Sequence, residues 1–587
     1  MRTLFICCLI LCFTVNFLTA ARKKPNVIVF LTDDQGWGDL SMNGNRDLHT
    51  PNIDSIAREG ASFDRFYVQP VCAPTRAEFL TGRYHLRSNV FGVTLGGERL
   101  NLDEVTIADL FSKAGYKTGA FGKWHNGTQY PYHPNGRGFQ EYYGFCSGHW
   151  GNYFSPLLEH NSQPVKGEGF IIDDLTTKAM DYMKENKDDS FFVYLPYCTP
   201  HSPMQVPDEY WKKFETMPMD QHTSLEKAAD ISHTRAALAM CENIDWNVGR
   251  VLNCVKELNL EEETIILYFS DNGPNGIRWN GGMKGKKGQT DEGGVRSPLV
   301  IKWPGTIKPG IEVPNISGAI DLLPTLTDLA GISKKGTKAL DGKSLKPLLL
   351  GRKASPVMND RVILSHWANK FSIRSQRYRL DHQNKLYDML LDPYQTKDVK
   401  NSLPEVHLAL VQKKEALKSD VMDESWKSDR PFTIGHADYE NYLLPARDAD
   451  FTGGITRSAR APNCSFLTTW TSKDDYIYYD VVVEADGVYD VYLHYTCKES
   501  DVGINMQLSM GDSQQTAEIL TVHDPELTGA DNDRFKRGSE SYVKDFKKIK
   551  FSGLKLTKGK GQLKLEALTQ KGPGLIDVRL LHLIRKS

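Results

Sequence analysis

Asn26-Val-Ile-Val-Phe-Leu31, running straight into Thr32-Asp33-Asp34, is the stretch from which the rest of the chain can be read. Val27 to Leu31 is wholly apolar and mostly β-branched or aromatic, the pattern of a strand buried on both faces. Runs of the same kind recur at Phe191-Phe-Val-Tyr-Leu195, at Thr264-Ile-Ile-Leu-Tyr-Phe269 and near Tyr116 to Phe121. Between them lie stretches with helical spacing at Pro51 to Gly60, Val105 to Ala114, Leu175 to Asn186 and Thr234 to Leu258. Strands alternating with helices predict an α/β domain built on a large, mostly parallel sheet. Such sheets carry their sites beyond the carboxyl ends of the strands, so the polar residues that end each run become the candidates for function.

The chain has 587 residues, enough for several domains and a large core. Its 40% apolar and 25% charged residues are ordinary globular usage and exclude wholesale disorder. Lys plus Arg number 72 against 73 Asp plus Glu, a net charge of -1. That balance excludes a dedicated nucleic-acid or polybasic membrane binder, whose charge is lopsided. The α/β alternation assigns residues 22–350 to the first domain. A Lys- and Gly-rich change of character at Ser333 to Lys353 opens a small α+β subdomain over 351–430, with short strands between Val362 and Asp392 and a helix at Leu403 to Leu417. After a linker-like stretch, Ser425 to Pro445, strict alternation at Tyr476 to Val483 and Val488 to Tyr495 predicts an all-β sandwich over 440–587.

Met1-Arg2, the apolar run Leu4 to Leu18 and the small residues Thr19-Ala20-Ala21 read as a secretory signal peptide over 1–21. No later stretch is apolar and long enough to span a bilayer, so the expected address is extracellular, with lysosomal routing as the alternative. Of ten cysteines, Cys7, Cys8 and Cys12 fall in the leader; the seven that remain are an odd number for an oxidising compartment. Cys464 and Cys497 are one candidate disulfide pair. Asn126, Asn315 and Asn463 head glycosylation sequons. The first abuts Lys123 and His125, where a glycan would crowd a site, so Asn126 is expected to be bare while Asn315 and Asn463 are the candidate acceptors.

Asp33 and Asp34 end the first strand, and Ser270-Asp271-Asn272-Gly273 ends the one at Ile265. Three carboxylates and an amide carbonyl form an oxygen-only set suited to Ca2+ or Mg2+ rather than zinc. Cations gather at the neighbouring strand ends: Lys123-Trp-His125, Cys198-Thr-Pro-His201, and Lys284-Gly-Lys-Lys287 ahead of Glu292-Gly-Gly-Val-Arg296. Cations beside a metal suit an anionic, tetrahedral ester group and the charge that develops on it.

Cys72-Ala-Pro-Thr-Arg76, followed by Thr81-Gly-Arg83, resembles the signature of the formylglycine-dependent (type I) sulfatases. The likeness takes in Asn26 to Leu40, Thr50 to Tyr67, Gly122 to His125, Gly138 to Gly144, Ser270 to Gly273, Glu292 to Pro298, Leu386 to Asp388 and Asp392-Pro393. It implies an alkaline-phosphatase-like fold, with helices around the mostly parallel sheet. It further implies that Asp33, Asp34, Asp271 and Asn272 hold the metal, with Cys72 beside it. In that family a formylglycine-generating enzyme oxidises the cysteine, whose hydrated aldehyde attacks sulfur, expels the alcohol and releases sulfate by collapsing to the aldehyde. Carried over, Arg76 steadies the hydrate, Lys123 and His125 flank the nucleophile, and Lys123, His201 and Lys287 bind sulfate. His201 or Lys287 protonates the leaving oxygen. Ca2+ is preferred over Mg2+ because the secretory route is calcium-rich.

Trp470, Tyr476, Tyr478, Tyr479, Tyr489, Tyr492 and Tyr495 crowd the last segment. About half are expected in a sandwich core, and the others as a platform for sugar rings. This segment, closing on Gly572 to Leu580, resembles galactose-binding-like carbohydrate-binding modules. The expectation is therefore a secreted sulfatase acting on a sulfated carbohydrate, with aryl sulfates as surrogate substrates. A phosphodiesterase or phosphonate hydrolase of the same superfamily is the enzymatic alternative, and an extracellular carbohydrate-binding or matrix protein the non-catalytic one.

Overall fold

A computed structural model describes residues 24–221, 230–422 and 431–586. The expected leader at 1–21 and the linker residues 425–430 lie outside the described residues. Four strands form the centre: β1 (Asn26–Thr32), β2 (Lys117–Lys123), β3 (Phe191–Pro196) and β4 (Thr264–Ser270). They stand in the order β4-β1-β3-β2 with Glu141–Phe145 beyond β2, all parallel. The margins of this ten-stranded sheet are mixed: Leu299–Lys302 runs antiparallel to β4, and the hairpin Leu157–His160 with Gln163–Lys166 closes the other edge.

The unbroken apolar runs are explained by two cores. Val27, Val29 and Leu31 pack into a cluster on one face, while Ile28 and Phe30 pack into another on the opposite face. Successive side chains of a strand point to opposite sides, so a sheet covered on both faces admits no polar residue between. Helix α1 (Cys72–Thr81) packs into the first cluster and the long helix α2 (Ile231–Glu257) into the second. Register then aligns the strand ends: Thr32 pairs with Ser270, so Asp33 and Asp271 leave the sheet side by side.

The antiparallel strands Ile363–Trp367, Lys370–Arg374, Tyr378–Leu380 and Leu386–Asp388 form a separate sheet, with the helix Pro404–Val421 packed on it. The last segment is a sandwich of two six-stranded sheets. Its core alternates as the sequence does, with Ile477, Tyr479, Val481 and Val483 facing Tyr489, Val491, Leu493 and Tyr495. Trp470 is buried too, whereas Tyr476, Tyr478 and Tyr492 keep part of their rings in solvent. The sandwich takes in Phe432–Ile434, which pairs in parallel with Val481 to Val483 and so lies ahead of the boundary read at 440.

Beyond what the linker-like stretch suggests, the sandwich is docked on the α/β domain. Gln205 Nε2 donates to Gly529 O and Asp533 Oδ1 at 2.8 Å, Thr433 Oγ1 donates to Tyr130 O at 2.6 Å, and the rings of Tyr130 and Tyr439 stack at 4.3 Å. Among the described residues no disulfide forms, the expected Cys464–Cys497 pair included; all seven cysteines are buried and free. Each sits in its own niche: Cys464 Sγ faces Ser541 O at 3.7 Å and Cys497 Sγ faces Lys498 O at 3.4 Å.

The sequons are sorted by burial. Asn126 is fully buried, its Nδ2 donating to Ala73 O and Glu98 O at 3.3 Å. Asn463, read as an acceptor, is also buried, its amide taken up on both sides by Arg447 and His149. Only Asn315 of the three lies partly exposed. Glycopeptide mapping of protein from a glycosylating host is expected to find Asn315 as the sole occupied member, and occupancy at Asn463 in folded protein would contradict its packing.

Candidate active site

Cys72 is the first residue of α1, a helix buried along its whole length. Pro74 costs this helix nothing, because the first-turn N–H groups have no partners within a helix. Thr75 Oγ1 ties the helix to the sheet by donating to Asp271 O at 2.6 Å, and it accepts from Gln69 N at 2.8 Å. Arg76, one turn on from Cys72, shares its face. Its Nη2 donates to Asp271 Oδ2 at 2.8 Å and its Nη1 to Lys123 O at 2.8 Å.

The other strand ends converge on the same place. Lys123 Nζ donates to Asp33 Oδ2 at 2.6 Å, and Lys287 Nζ lies 2.7 Å from Asp34 Oδ1 and 2.9 Å from Oδ2. His201 Nε2 is 3.6 Å from Asp34 Oδ2, and Asn272 Nδ2 donates to Asp34 Oδ1 at 2.8 Å. Lys284 instead pairs with Asp291 at 3.4 Å, so of the Lys284–Lys287 cluster it is Lys287 that reaches the carboxylates. Gly122 lets β2 and β3 approach closely at these ends. Its φ is +145°, and a Cβ there would lie 2.0 Å from Pro196 O.

Three buried carboxylates are thus matched by Lys123, Lys287 and Arg76. Burial would raise Asp34, but Lys287 and His201 hold it well below the usual carboxylate range. Asp271, with burial and the charge of Asp33 both opposing ionisation, is pushed up to about 7 despite Arg76. Asp34 holds a left-handed φ of 68°, strain that a backbone keeps only when its surroundings demand it. Those surroundings are Asp34 N donating to Asp271 Oδ1 at 3.2 Å and Arg278 Nη2 donating to Asp34 O at 3.0 Å.

Two oxygens in this cluster, Asp33 Oδ1 and Asn272 Oδ1, are buried without a hydrogen-bond partner. Unpaired buried acceptors at converging carboxylates are what a cation would satisfy. Ligand atoms of Asp33, Cys72 and Asp271 lie within 4.8 Å of one another, as do those of Asp33, Asp34 and His201. It is the oxygens of Asp33, Asp34, Asp271 and Asn272, not the thiol or the imidazole, that fit a hard divalent ion.

Histidine tautomers follow from their partners. His125, itself at a φ of 65°, has Nε2 at 2.8 Å from Val93 O. A carbonyl only accepts, so the proton is on Nε2, and Nδ1 is a buried lone pair without a partner. His201 Nδ1 donates to Ser202 O at 2.8 Å, leaving Nε2 as its proton-binding atom. Burial holds both rings below the ordinary histidine range, helped by Lys123 at His125 and by Lys287 at His201.

One residue the sequence reading missed is His149. Its ring stacks on His201 at 5.7 Å, and its Nε2 is buried and without a partner. It lies in a loop without a motif, and its partner Asn463 is 314 residues away.

A family model for sulfatases matches residues 25–332, more than half of the chain. The protein belongs to the sulfatase family. A second model, the C-terminal region of N-sulphoglucosamine sulphohydrolase, matches 286–421, the stretch that holds the small antiparallel sheet. Human arylsulfatase A is 31% identical over 374 residues, covering 57% of this chain and 70% of its own. Mouse N-acetylgalactosamine-6-sulfatase is 30% identical over 387 residues, covering 60% of this chain and 70% of its own. Among solved structures, Ps i-CgsB in complex with k-i-k-neocarrahexaose superposes with a TM-score of 0.63 at 30% identity, over 69% of this sulfatase and 95% of that chain. These matches make the chain a sulfuric ester hydrolase with the sulfatase α/β fold, and they leave the sandwich beyond 421 outside the family models.

Proposed function

We propose that this sulfatase is secreted and hydrolyses sulfate monoesters of a carbohydrate, using formylglycine made from Cys72 by a formylglycine-generating enzyme. The observation that carries the reading is the meeting of Cys72 with three carboxylate–cation pairs at the carboxyl edge of one sheet. Asp33, Asp34, Asp271 and Asn272 would hold Ca2+ or, alternatively, Mg2+, whose charge favours an anionic ester and the charge that grows on its oxygens. Oxidised Cys72 would supply an aldehyde hydrate, an oxygen nucleophile that the buried thiol is not.

The protein's own groups do the rest. With the carboxylates already neutralised pairwise, a bound dication leaves the pocket with surplus positive charge for the ester and for departing sulfate. Lys123 and Lys287 bind sulfate oxygens. Lys287 keeps its proton, because Asp34 and the other acidic neighbours overcome the effect of burial and raise its pKa. It therefore acts as a fixed charge. His201, neutral at rest with Nε2 open, takes up there the proton that the nucleophile sheds on attack and passes it to the leaving oxygen. His125 takes at its open Nδ1 the remaining proton that the nucleophile gives up as sulfate departs. In sum the S–O ester bond breaks, the alcohol leaves protonated, and the oxygen of water ends on sulfate.

The test has two arms. Mass spectrometry of the tryptic peptide Phe66 to Arg76, from a host that carries the converting enzyme, should find an aldehyde at position 72. The same protein should turn over 4-nitrophenyl sulfate and sulfated oligosaccharides in preference to phosphodiesters. An unmodified Cys72 beside a converted control sulfatase, or a preference for phosphodiesters, would overturn the reading.

A further inference from the structure

A chain of hydrogen bonds leads from the sandwich into the candidate active site. Arg447 Nη1 donates to Asn463 Oδ1 at 2.7 Å. A guanidinium can only donate, so this contact fixes which end of the amide is oxygen. The other end, Nδ2, therefore faces His149 Nδ1 at 3.2 Å as a donor. His149 Nδ1 must accept, and the ring proton of neutral His149 is left on Nε2. Burial, with His201 and Lys123 adding to it, keeps the ring neutral.

Nε2–H of His149 is then a buried donor without a protein partner. Buried polar atoms are almost always satisfied, and an exception points to a group that the protein itself does not contain. The surroundings say which kind. The ring stacks at 12° on His201, itself against Asp34, and Lys123 and Lys287 lie near enough to act on it electrostatically. Gly148 packs the same corner: a Cβ there would fall 2.5 Å from both His125 Nε2 and Asn463 Nδ2. Ser147 Oγ donates to Asn463 O at 2.6 Å, and Ser202 Oγ donates to Glu540, so the sandwich grips both sides of the His149–His201 stack. The partner that fits is an oxygen acceptor in the space of the bound ester.

We propose that the β-sandwich completes the substrate site. Arg447 and Asn463 are positioning residues that set the tautomer of His149, and His149 donates from Nε2 to a sulfate-group oxygen of the substrate. This rests on the sulfate-ester reading above and adds a residue and a second domain to it. The interaction is a neutral hydrogen bond beside the charged ones from Lys123 and Lys287, so it orients the group more than it charges the pocket.

Two-bond proton–nitrogen correlation spectra of histidine-labelled, unconverted protein read the tautomer directly, with His149 assigned by its loss in His149→Gln. The parent is expected to show Nε2–H at His149. Asn463→Asp places a carboxylate against Nδ1 and is expected to move the proton there. In converted enzyme, His149→Ala should raise KM for 4-nitrophenyl sulfate about tenfold, a loss of about 1.4 kcal/mol in binding. Asn463→Asp should raise it comparably, and His149→Gln, which keeps an N–H donor, should recover part of the loss. An Nδ1–H ring in the parent, or parental KM in His149→Ala, overturns the proposal while leaving the sulfatase reading intact. A converted parent that turns over no sulfate ester overturns the reading itself, and this inference with it.

Discussion

A Cys72→Ala enzyme is expected to lose sulfate-ester turnover by a factor on the order of 10,000 or more, the scale seen when an enzyme loses its nucleophile. The fold should be kept, since the exchange swaps one small residue for another at the first position of α1. The more telling comparison is with unconverted protein. Burial raises the pKa of the Cys72 thiol, and Lys123 and Lys287 only partly offset it. A thiol held protonated at neutral pH is not a nucleophile, because the thiolate is the reactive form. Protein made in a host without the converting enzyme should therefore be as inert as Cys72→Ala. The measurement is turnover of 4-nitrophenyl sulfate by three samples: converted, unconverted and Cys72→Ala. Activity in the unconverted sample close to that of the converted one would mean that the pocket works without an oxidised Cys72.

What the sequence makes legible is what local pattern controls. The run Val27 to Leu31 announces its strand because both faces are covered, and Asp33 and Asp34 follow it directly. Cys72 and Arg76 sit four apart on one helix, so their shared face is implicit in their spacing. Where the reading stops, the determinant is distant in the chain. Lys287 is picked out only by its spacing back from Glu292 in the family resemblance; the cluster's own residues do not tell it from Lys284, since which lysine reaches Asp34 depends on the path of the loop after β4. The triplet at Asn463 is a sequon by composition, but its amide belongs to a network joining Arg447 to His149. The stretch Ser425 to Pro445 reads as linker-like because no clear helix or strand pattern crosses it. The strand Asn441–Pro445 within it instead pairs with Asp577–Arg585, and Leu443 O accepts from Gln129 of the α/β domain.

Glu292 is where fold and site depend on one another most. It was legible only as part of a motif; its work is done on the small subdomain. Its Oε2 accepts from Arg379 Nε at 3.0 Å and Nη2 at 2.8 Å, its Oε1 accepts from Tyr67 OH at 2.8 Å, and Arg374 Nε lies 3.6 Å away. Burial alone would raise its pKa, but Arg379, Arg374 and Arg296 hold it at about 2 against an ordinary 4.5. Glu292→Ala strands Arg379, which is fully buried, without a counter-charge. Breaking a buried pair in this way costs about 3–5 kcal/mol. The pKa shift corresponds to about 3 kcal/mol at neutral pH, in line with that figure.

The pH dependence has a definite sign. A carboxylate whose folded pKa is depressed stabilises the fold above its unfolded pKa, and that contribution is lost as pH falls through the folded value. The Tm gap between parent and Glu292→Ala should therefore be widest at neutral pH and narrow between about 4.5 and about 2. Activity should fall with stability even though no proposed catalytic group is changed. The residues after Glu292 hold the loop after β4, with Gly273 N donating to Gly294 O at 2.9 Å and Asn280 Nδ2 donating to Gly293 O at 3.0 Å. Asp271 and Asn272 lie on that loop. A Glu292→Ala protein with parental Tm at neutral pH would mean that Arg374 and Arg379 find other partners and that the subdomain is anchored elsewhere.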